Sequence, residues 1–475
     1  MKRLCTKENF LYLFIFISPV LDLCSSLCKL DNYSISLILR PIIPCALLTY
    51  IYITDKSARK VLTIGGAIYL TYMVIHLLLY RNLITDYSYG GISYEASYVA
   101  NYTYLIFTLY LFIYVFKKID TSNLKKYFLI YVIVYITSIY LAIITKTSFL
   151  TYIEGYGYRG WFNTGGAVGS ILIGSLFIIL PYLFRNRDKL IWKFILITAI
   201  VFYLVFLIGT RTGMFGSLIS LGSYFGIWLI SLIVNSKKMN KKMFIIGILI
   251  FATLISGITV FGSNTLERRK HLESIDGKVP DGSSDETIYM AYDLVKLKEQ
   301  IENGEISSDM MTKEEKEAIL KLDNYSRNNK LSSTDQRKQQ LIYHHYLYNL
   351  QDNILLKLFG NGYLTNIGML TLEMEIIALF YNFGILGLLL FIGPFFAIFI
   401  YGIIKGLKNL KKTDISYWMT MLGCFMTYVI SVLAGHTYFN ASVMIVIIIL
   451  HTLLYINASH LKGEFESEKS TVCDY

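Results

Sequence analysis

Charge is scarce in this chain. Only 16% of its 475 residues are Asp, Glu, Lys or Arg, against about 25% in a soluble domain, which excludes an ordinary water-soluble fold. Cysteine is also scarce. Cys5, Cys24, Cys28, Cys45, Cys424 and Cys473 lie in apolar runs or at the ends. None falls in the one long polar segment, so neither a disulfide framework nor a zinc module is available there. Metal-ligand spacing is absent elsewhere, and no internal repeat is visible. The start Met1-Lys2-Arg3 and the apolar run after it imitate a signal peptide. That run contains Pro19 and Asp22 and ends without a small-x-small cleavage site, so it reads as a retained first helix.

What the chain does have is hydrocarbon, with 55% hydrophobic and 15% aromatic residues. Twelve apolar runs stand at 9–28, 33–53, 61–80, 98–116, 126–145, 164–184, 190–209, 213–234, 243–262, 373–404, 414–434 and 438–457. Runs of this length predict an all-α polytopic membrane protein with about twelve transmembrane helices. One large, mostly helical loop separates spans nine and ten. The expected division is a nine-span region at 1–262, a loop domain at 263–372, three spans at 373–457 and a tail at 458–475.

The net charge of +11 invites a nucleic-acid reading, but its distribution answers otherwise. Every second short loop is basic: Lys56, Arg59 and Lys60; Lys117, Lys118, Lys125 and Lys126; Arg185, Arg187, Lys189 and Lys193; Lys237, Lys238, Lys241 and Lys242; Lys405, Lys408, Lys411 and Lys412. That alternation is the positive-inside pattern. It predicts cytoplasmic termini, an extracytoplasmic loop domain and no nucleic-acid partner.

Within the loop, 263–283 reads as irregular and 285–322 as one or two polar helices. Ser332-Ser333-Thr334-Asp335 offers N-cap chemistry for a third helix over 335–357. Leu341, Tyr348 and Leu355 give that helix an apolar stripe, and Gly360 and Gly362 end it.

Charged groups expected on the outer face are the candidates for chemistry. Arg211 sits in the tight turn Gly209-Thr210-Arg211-Thr212-Gly213, where its planar fork could hold phosphate oxygens in pairs; the plain alternative is a snorkelling anchor. Arg159 and Trp161 lie among aromatics and glycines, which suits an interfacial belt and a sugar-stacking surface equally. Arg337 opens the third loop helix and on local sequence reads as a solvated charge. Glu373 and Glu375 stand at the mouth of the tenth span, where a carboxylate is costly unless paired or wetted. In a helix, positions two apart point about 200° apart, so one of them faces a given cavity; in an extended segment both share one side; helix-entry acids favoured by the dipole are the plain alternative. His436 lies in the last outer turn, and His344 and His345 in the loop helix; hydrogen-bonded structural histidines are the commoner case. Asp22 and Arg40 both lie inside the expected membrane region, and a mutual ion pair is the economical arrangement.

Taken in order, these segments resemble the O-antigen ligase and polymerase superfamily. Gly209-Thr210-Arg211-Thr212-Gly213-Met214-Phe215-Gly216 is similar to its short arginine motif. Arg159-Gly160-Trp161-Phe162-Asn163, leading to Gly169, resembles the motif that precedes it in Gram-positive members. The Arg337 helix leading to Phe359-Gly360-Asn361-Gly362-Tyr363 is similar to the large outer loop. Glu373-Met374-Glu375 to Gly384-Ile385-Leu386-Gly387, and then Gly435-His436-Thr437, resemble the later segments. The resemblance implies a metal-independent, cofactor-free glycan transfer from undecaprenyl diphosphate at the outer leaflet of a bacterial plasma membrane. It implies Arg211, Arg337 and a base from Glu373 or Glu375 as catalytic groups, and Arg159, Trp161 and His436 as substrate contacts. A flippase and a chain-length regulator are the implied protein partners beside membrane lipids. Ligases often carry a histidine where Glu373 stands, and acidic members look like the polymerase branch.

Polymerisation of lipid-linked repeat units is therefore the expected function, with transfer to another acceptor as the ligase alternative. A lipid-linked glycan flippase is the alternative from another class. It would be expected to show repeated halves and charges near mid-membrane. A membrane-anchored sensor needs neither the arginine turn nor so many spans.

Overall fold

The computed structural model describes residues 6–27, 39–84, 91–152, 155–185, 188–234, 247, 264, 266–268, 270, 292–331, 335–363, 370–433, 435 and 437–461. Among the described residues eight helices precede the loop domain: α1 (Lys7–Leu27), α2 (Ile42–Thr54), α3 (Lys56–Arg81), α4 (Gly91–Phe116), α5 (Ser122–Ile144), α6 (Gly165–Leu183), α7 (Leu190–Leu207) and α8 (Arg211–Val234). The loop domain holds α9 (Tyr292–Glu302), α10 (Lys313–Asn328), α11 (Gln336–Leu350) and α12 (Ile354–Phe359). Then follow α13 (Glu375–Phe391), α14 (Gly393–Lys408), α15 (Ile415–Leu433) and α16 (Ala441–His460). Among the described residues nine helices are long and apolar enough to cross a membrane, and α13 with α14, bent by 46°, are a broken span or a re-entrant pair. The chain is an all-α, multi-pass membrane protein. Of the expected second span, α2 covers residues 42–53, and residues 33–38 lie outside the described set. The expected ninth span lies outside the described residues except for Gly247.

Small residues decide which helices occupy the centre. In the apolar stretches of α6 and α16, 83% and 78% of residues are buried. Glycines let backbones approach where lipid gives no hydrophobic drive between helices. A Cβ at Gly174 on α6 would lie 2.6 Å from Val446 of α16, and one at Gly402 on α14 would lie 2.8 Å from Leu454 of α16.

The loop domain has its own small core, built from Val295, Met311, Ile319, Leu322, Tyr343 and Leu370. α10 starts with a reciprocal cap. Thr312 Oγ1 accepts from Glu315 N at 3.2 Å, and the Glu315 carboxylate accepts from Thr312 N at 2.9 Å. The single loop helix expected over 335–357 is two helices. α11 stops at Leu350, and Asn353 starts α12 by accepting from Leu355 N at 2.9 Å. The Asn side chain offers the backbone a local alternative to continued helix. Asp335 occupies the N-cap of α11 without a side-chain capping bond, and residues 332–334 lie outside the described set. Residues expected to be irregular include helical ones at 264, 266–268 and 270.

The break inside α13 organises the junction between loop and membrane. Gly384 has φ 69° and ψ −177°, a conformation glycine adopts without a Cβ penalty. The strap 360–363 lies against it, with Gly362 N donating to Asn382 O at 2.8 Å. A Cβ on Gly360 would sit 2.1 Å from Asn382 O. Breaking a helix in hydrocarbon frees carbonyls that must find donors. One face of α3 meets a carbonyl at this break and others in the strap and at the helix ends beside it. Tyr69 donates to Leu390 O at 2.7 Å, Tyr72 to Phe383 O at 2.7 Å, and Tyr80 to Tyr363 O at 3.3 Å. Between them, His76 Nδ1 meets Phe359 O at 2.7 Å. Spacings of three and four residues put all four on one helical face.

Candidate functional site

The start of α13 separates the two glutamates. Glu375 is its first residue and is 1% exposed. Its Oε1 accepts from the Tyr102 hydroxyl at 2.9 Å and from Phe439 N. Its Oε2 accepts from the Ser431 hydroxyl at 3.2 Å, from Tyr438 N at 2.7 Å and from Thr437 N. A carboxylate offers about four lone-pair sites, and five donors fill them. Glu375 thus fastens the turn after α15 to α13 and α4.

Glu373, two residues earlier, is half-exposed. Its Oε2 lies 3.1 Å from Arg337 Nε, and its backbone N donates to Gln340 Oε1 at 3.2 Å. Arg337 Nη1 also donates to the Leu433 carbonyl. One guanidinium therefore joins α11, the entry to α13 and the end of α15. Gly435, at φ +94°, lets that turn close in: a Cβ there would lie 3.0 Å from Glu373 O. His436 lies outside the described residues.

Arg211 is the exposed first residue of α8 and has no hydrogen-bond or ion-pair partner among the described residues. α8 packs against α15, at an axis separation near 8–10 Å for packed helices. Arg211 begins α8 at the end of the bundle where α15 finishes at Leu433. The turn before it is pinned, since Tyr158 N donates to Leu207 O at 2.8 Å. A Cβ on Gly157 (φ +77°) would lie 2.3 Å from Ile208 O.

Arg159 and Trp161 have local partners. Arg159 donates to the Asn163 carbonyl and lies 5.7 Å from the Phe149 ring. Trp161 Nε1 donates to Thr147 Oγ1 at 2.9 Å. These bonds close the hairpin between α5 and α6.

Asp22 and Arg40 form an ion pair, both buried. Asp22 also accepts from the Tyr135 hydroxyl and from the Ser442 hydroxyl at 2.5 Å, which ties α1, α5 and α16 together. Among the loop histidines, His344 is buried and its Nε2 meets Leu370 O at 3.0 Å; burial pushes its pKa down to about 4. His345 is exposed beside Asn349.

Sequence reasoning missed three features. Arg268 lies with its guanidinium 3.5 Å from the Tyr152 ring, and four residues earlier Asn264 Nδ2 donates to Leu207 O at 3.2 Å. The signal was the run Glu267-Arg268-Arg269-Lys270 soon after the apolar run at 243–262. Tyr98 lies between Tyr363, at 4.3 Å, and Phe439, at 4.5 Å. His76 Nε2 lies 2.7 Å from Glu95 Oε1, both side chains fully buried, and Glu95 Oε2 accepts from Tyr363 N at 3.1 Å. Glu95 escaped notice because the fourth apolar run begins three residues after it.

Comparison with known proteins gives one family: a model described as O-antigen ligase like membrane protein matches residues 6–460. No curated protein matches the chain.

Proposed function

The chain belongs to the O-antigen ligase-like family of membrane proteins, whose members handle lipid-linked glycans at a membrane, and from that premise we propose that it polymerises undecaprenyl-diphosphate-linked repeat units at the outer face of a bacterial plasma membrane. The observation that carries this reading is the Glu373–Arg337 pair at the mouth of α13, with Glu375 buried beneath it. Glu373 has the half-exposed carboxylate that a base needs, and Glu375 has no lone pair left to accept a proton.

In this reading the hydroxyl of an acceptor sugar attacks the anomeric carbon of the donor glycan. The carbon–oxygen bond to the diphosphate breaks, and the diphosphate leaves with the electron pair. Glu373 takes the hydroxyl proton. Arg211 and Arg337 stabilise the charge that grows on the leaving diphosphate; Arg268, and then Arg159, are further cations at that end. Trp161, Tyr98 and His436 are candidate sugar contacts. A single displacement inverts the anomeric centre. With a different acceptor the same chemistry is a ligase reaction.

Arg211→Lys tests the reading. Lysine keeps the charge but loses the planar fork. The expected outcome is normal membrane insertion, little or no long-chain polysaccharide, and accumulation of lipid-linked single repeat units. Full-length polymer at the wild-type rate reduces Arg211 to an interfacial anchor. Single-unit transfer to a non-glycan acceptor, with no chain growth in the wild type, makes the protein a ligase.

A further inference from the structure

At the end of the bundle away from the loop domain, α1 begins, α2 ends, α3 begins and α4 ends. On α4, Tyr114 lies twelve residues beyond Tyr102, the partner of Glu375, so about 18 Å separate this end from the candidate site. A cavity of about 320 Å³ is lined here by Lys7, Glu8, Asp55, Tyr114, Lys117 and Lys118. A larger groove of about 830 Å³ shares Lys7 and Glu8 with it and continues between α1 and α2 over Phe10, Ile43, Ala46, Leu47 and Tyr50 to Ile42. One part is polar and cationic, and the other is apolar.

Two of the lysines lie against aromatic rings. Lys7 Nζ lies 5.4 Å from the rings of both Tyr50 and Tyr114, and Lys117 Nζ lies 5.1 Å from the Tyr114 ring. Among the described residues none of the three lysines forms an ion pair. Asp55 is occupied elsewhere: its Oδ1 caps α3 through Ser57 N at 2.8 Å and Ala58 N at 3.1 Å, and its Oδ2 accepts from the Tyr114 hydroxyl at 2.5 Å. The cavity therefore carries three ammonium groups against two carboxylates, Glu8 and Asp55, directly beside a strip of hydrocarbon surface. From Tyr50 to Ile42 the groove runs eight helical residues, about 12 Å, close to the ~15 Å half-thickness of a bilayer core.

We propose that this cavity and groove are a binding site for an anionic phospholipid, with the phosphate on Lys7, Lys117 and Lys118 and an acyl chain between α1 and α2. Basic pockets between helices at the membrane surface recognise anionic head groups in this way. The layout fits a lipid rather than a soluble anion, because the cationic cavity adjoins the apolar groove and shares Lys7 and Glu8 with it.

The test is native mass spectrometry of the purified full chain in detergent, with phosphatidylglycerol, with phosphatidylcholine of identical chains, and with inorganic phosphate as competitor. The expected result is discrete lipid adducts that favour phosphatidylglycerol about tenfold, undisturbed by phosphate. Lys7→Gln with Lys117→Gln and Lys118→Gln should abolish the preference while leaving weak adducts of both lipids. Ala46→Trp, which fills the groove, should weaken both lipids together. Equal binding of the two lipids, an unchanged preference in the triple variant, or displacement by phosphate alone overturns the proposal. None of these readouts depends on the glycan reaction.

Discussion

Replacing each glutamate at the mouth of α13 by glutamine should produce opposite failures. At Glu375, three of the five donors are backbone N–H groups of Thr437, Tyr438 and Phe439, which cannot rotate away. A glutamine has one carbonyl oxygen and one NH2. If its oxygen replaces Oε2, the NH2 faces Phe439 N–H. If its oxygen replaces Oε1, the NH2 faces two N–H groups. The better orientation strands one buried donor, at about 1–3 kcal/mol, and weakens the remaining charge-assisted bonds by about 1 kcal/mol each. The expected loss is on the order of 3–5 kcal/mol, read as lower yield and earlier thermal unfolding in detergent. At Glu373 the pair with Arg337 is half-exposed on both sides, with 46% and 50% exposure, so Glu373→Gln should change stability by only about 0–1 kcal/mol. If Glu373 is the base, that same variant should lose roughly 10²–10⁴-fold in chain elongation. A Glu375→Gln protein that melts with the wild type refutes the anchoring argument. A Glu373→Gln protein that elongates normally removes Glu373 as the base.

Two further outcomes concern buried pairs. Asp22→Ala and Arg40→Ala should each lower the folded yield, by about 3–5 kcal/mol for a stranded buried charge, while the double variant recovers part of the loss; simply additive losses in a melting assay would mean the two do not act together. The His76 site should be asymmetric. The Phe359 carbonyl can only accept, so Nδ1 carries a proton, and a Gln at position 95 could still donate to Nε2 and accept from Tyr363 N. Glu95→Gln should therefore melt close to the wild type, whereas His76→Ala, which leaves Glu95 and the Phe359 carbonyl without their partner, should unfold well below it; equal losses would contradict this assignment of protons.

Most of the membrane architecture was legible in the sequence because length and hydropathy report directly on a hydrocarbon solvent. The runs at 61–80, 126–145, 164–184 and 414–434 each lie on a described helix with ends within a few residues. What stayed hidden depends on partners distant in sequence. Glu373 and Glu375 look alike as text, and only the turn at 437–439, some 60 residues on, makes one of them an anchor. Arg337 read as an ordinary surface charge because its acceptor, the Leu433 carbonyl, is a backbone atom 96 residues away. Tyr69, Tyr72, His76 and Tyr80 drew no reading from the sequence, because their acceptors, the carbonyls of Leu390, Phe383, Phe359 and Tyr363, are backbone atoms some 300 residues away. The single helix expected over 335–357 failed for a local reason, the capping power of Asn353.

The attachments between loop domain and membrane bundle bear on the chemistry itself. Arg337 joins α11 to the end of α15, the strap 360–363 lies in the break of α13, and Glu375 holds the turn at 437–439. Each uses groups that cannot rotate freely: a guanidinium fork, backbone amides, or glycines packed against carbonyls. Glu373 sits among all three, two residues before Glu375, the buried first residue of α13. Its carboxylate is thereby fixed in direction without being buried. A base that must take a proton from a hydroxyl in a flexible glycan gains most from such fixing, because the orientation is set before substrate arrives. Had Glu373 been inside α13 it would have shared the burial of Glu375. Had it been further out in the loop, it would have lost the arginine that aims it. If Glu373 is the base, the two-residue offset across a helix start lets one carboxylate hold the fold while its neighbour stays open to react.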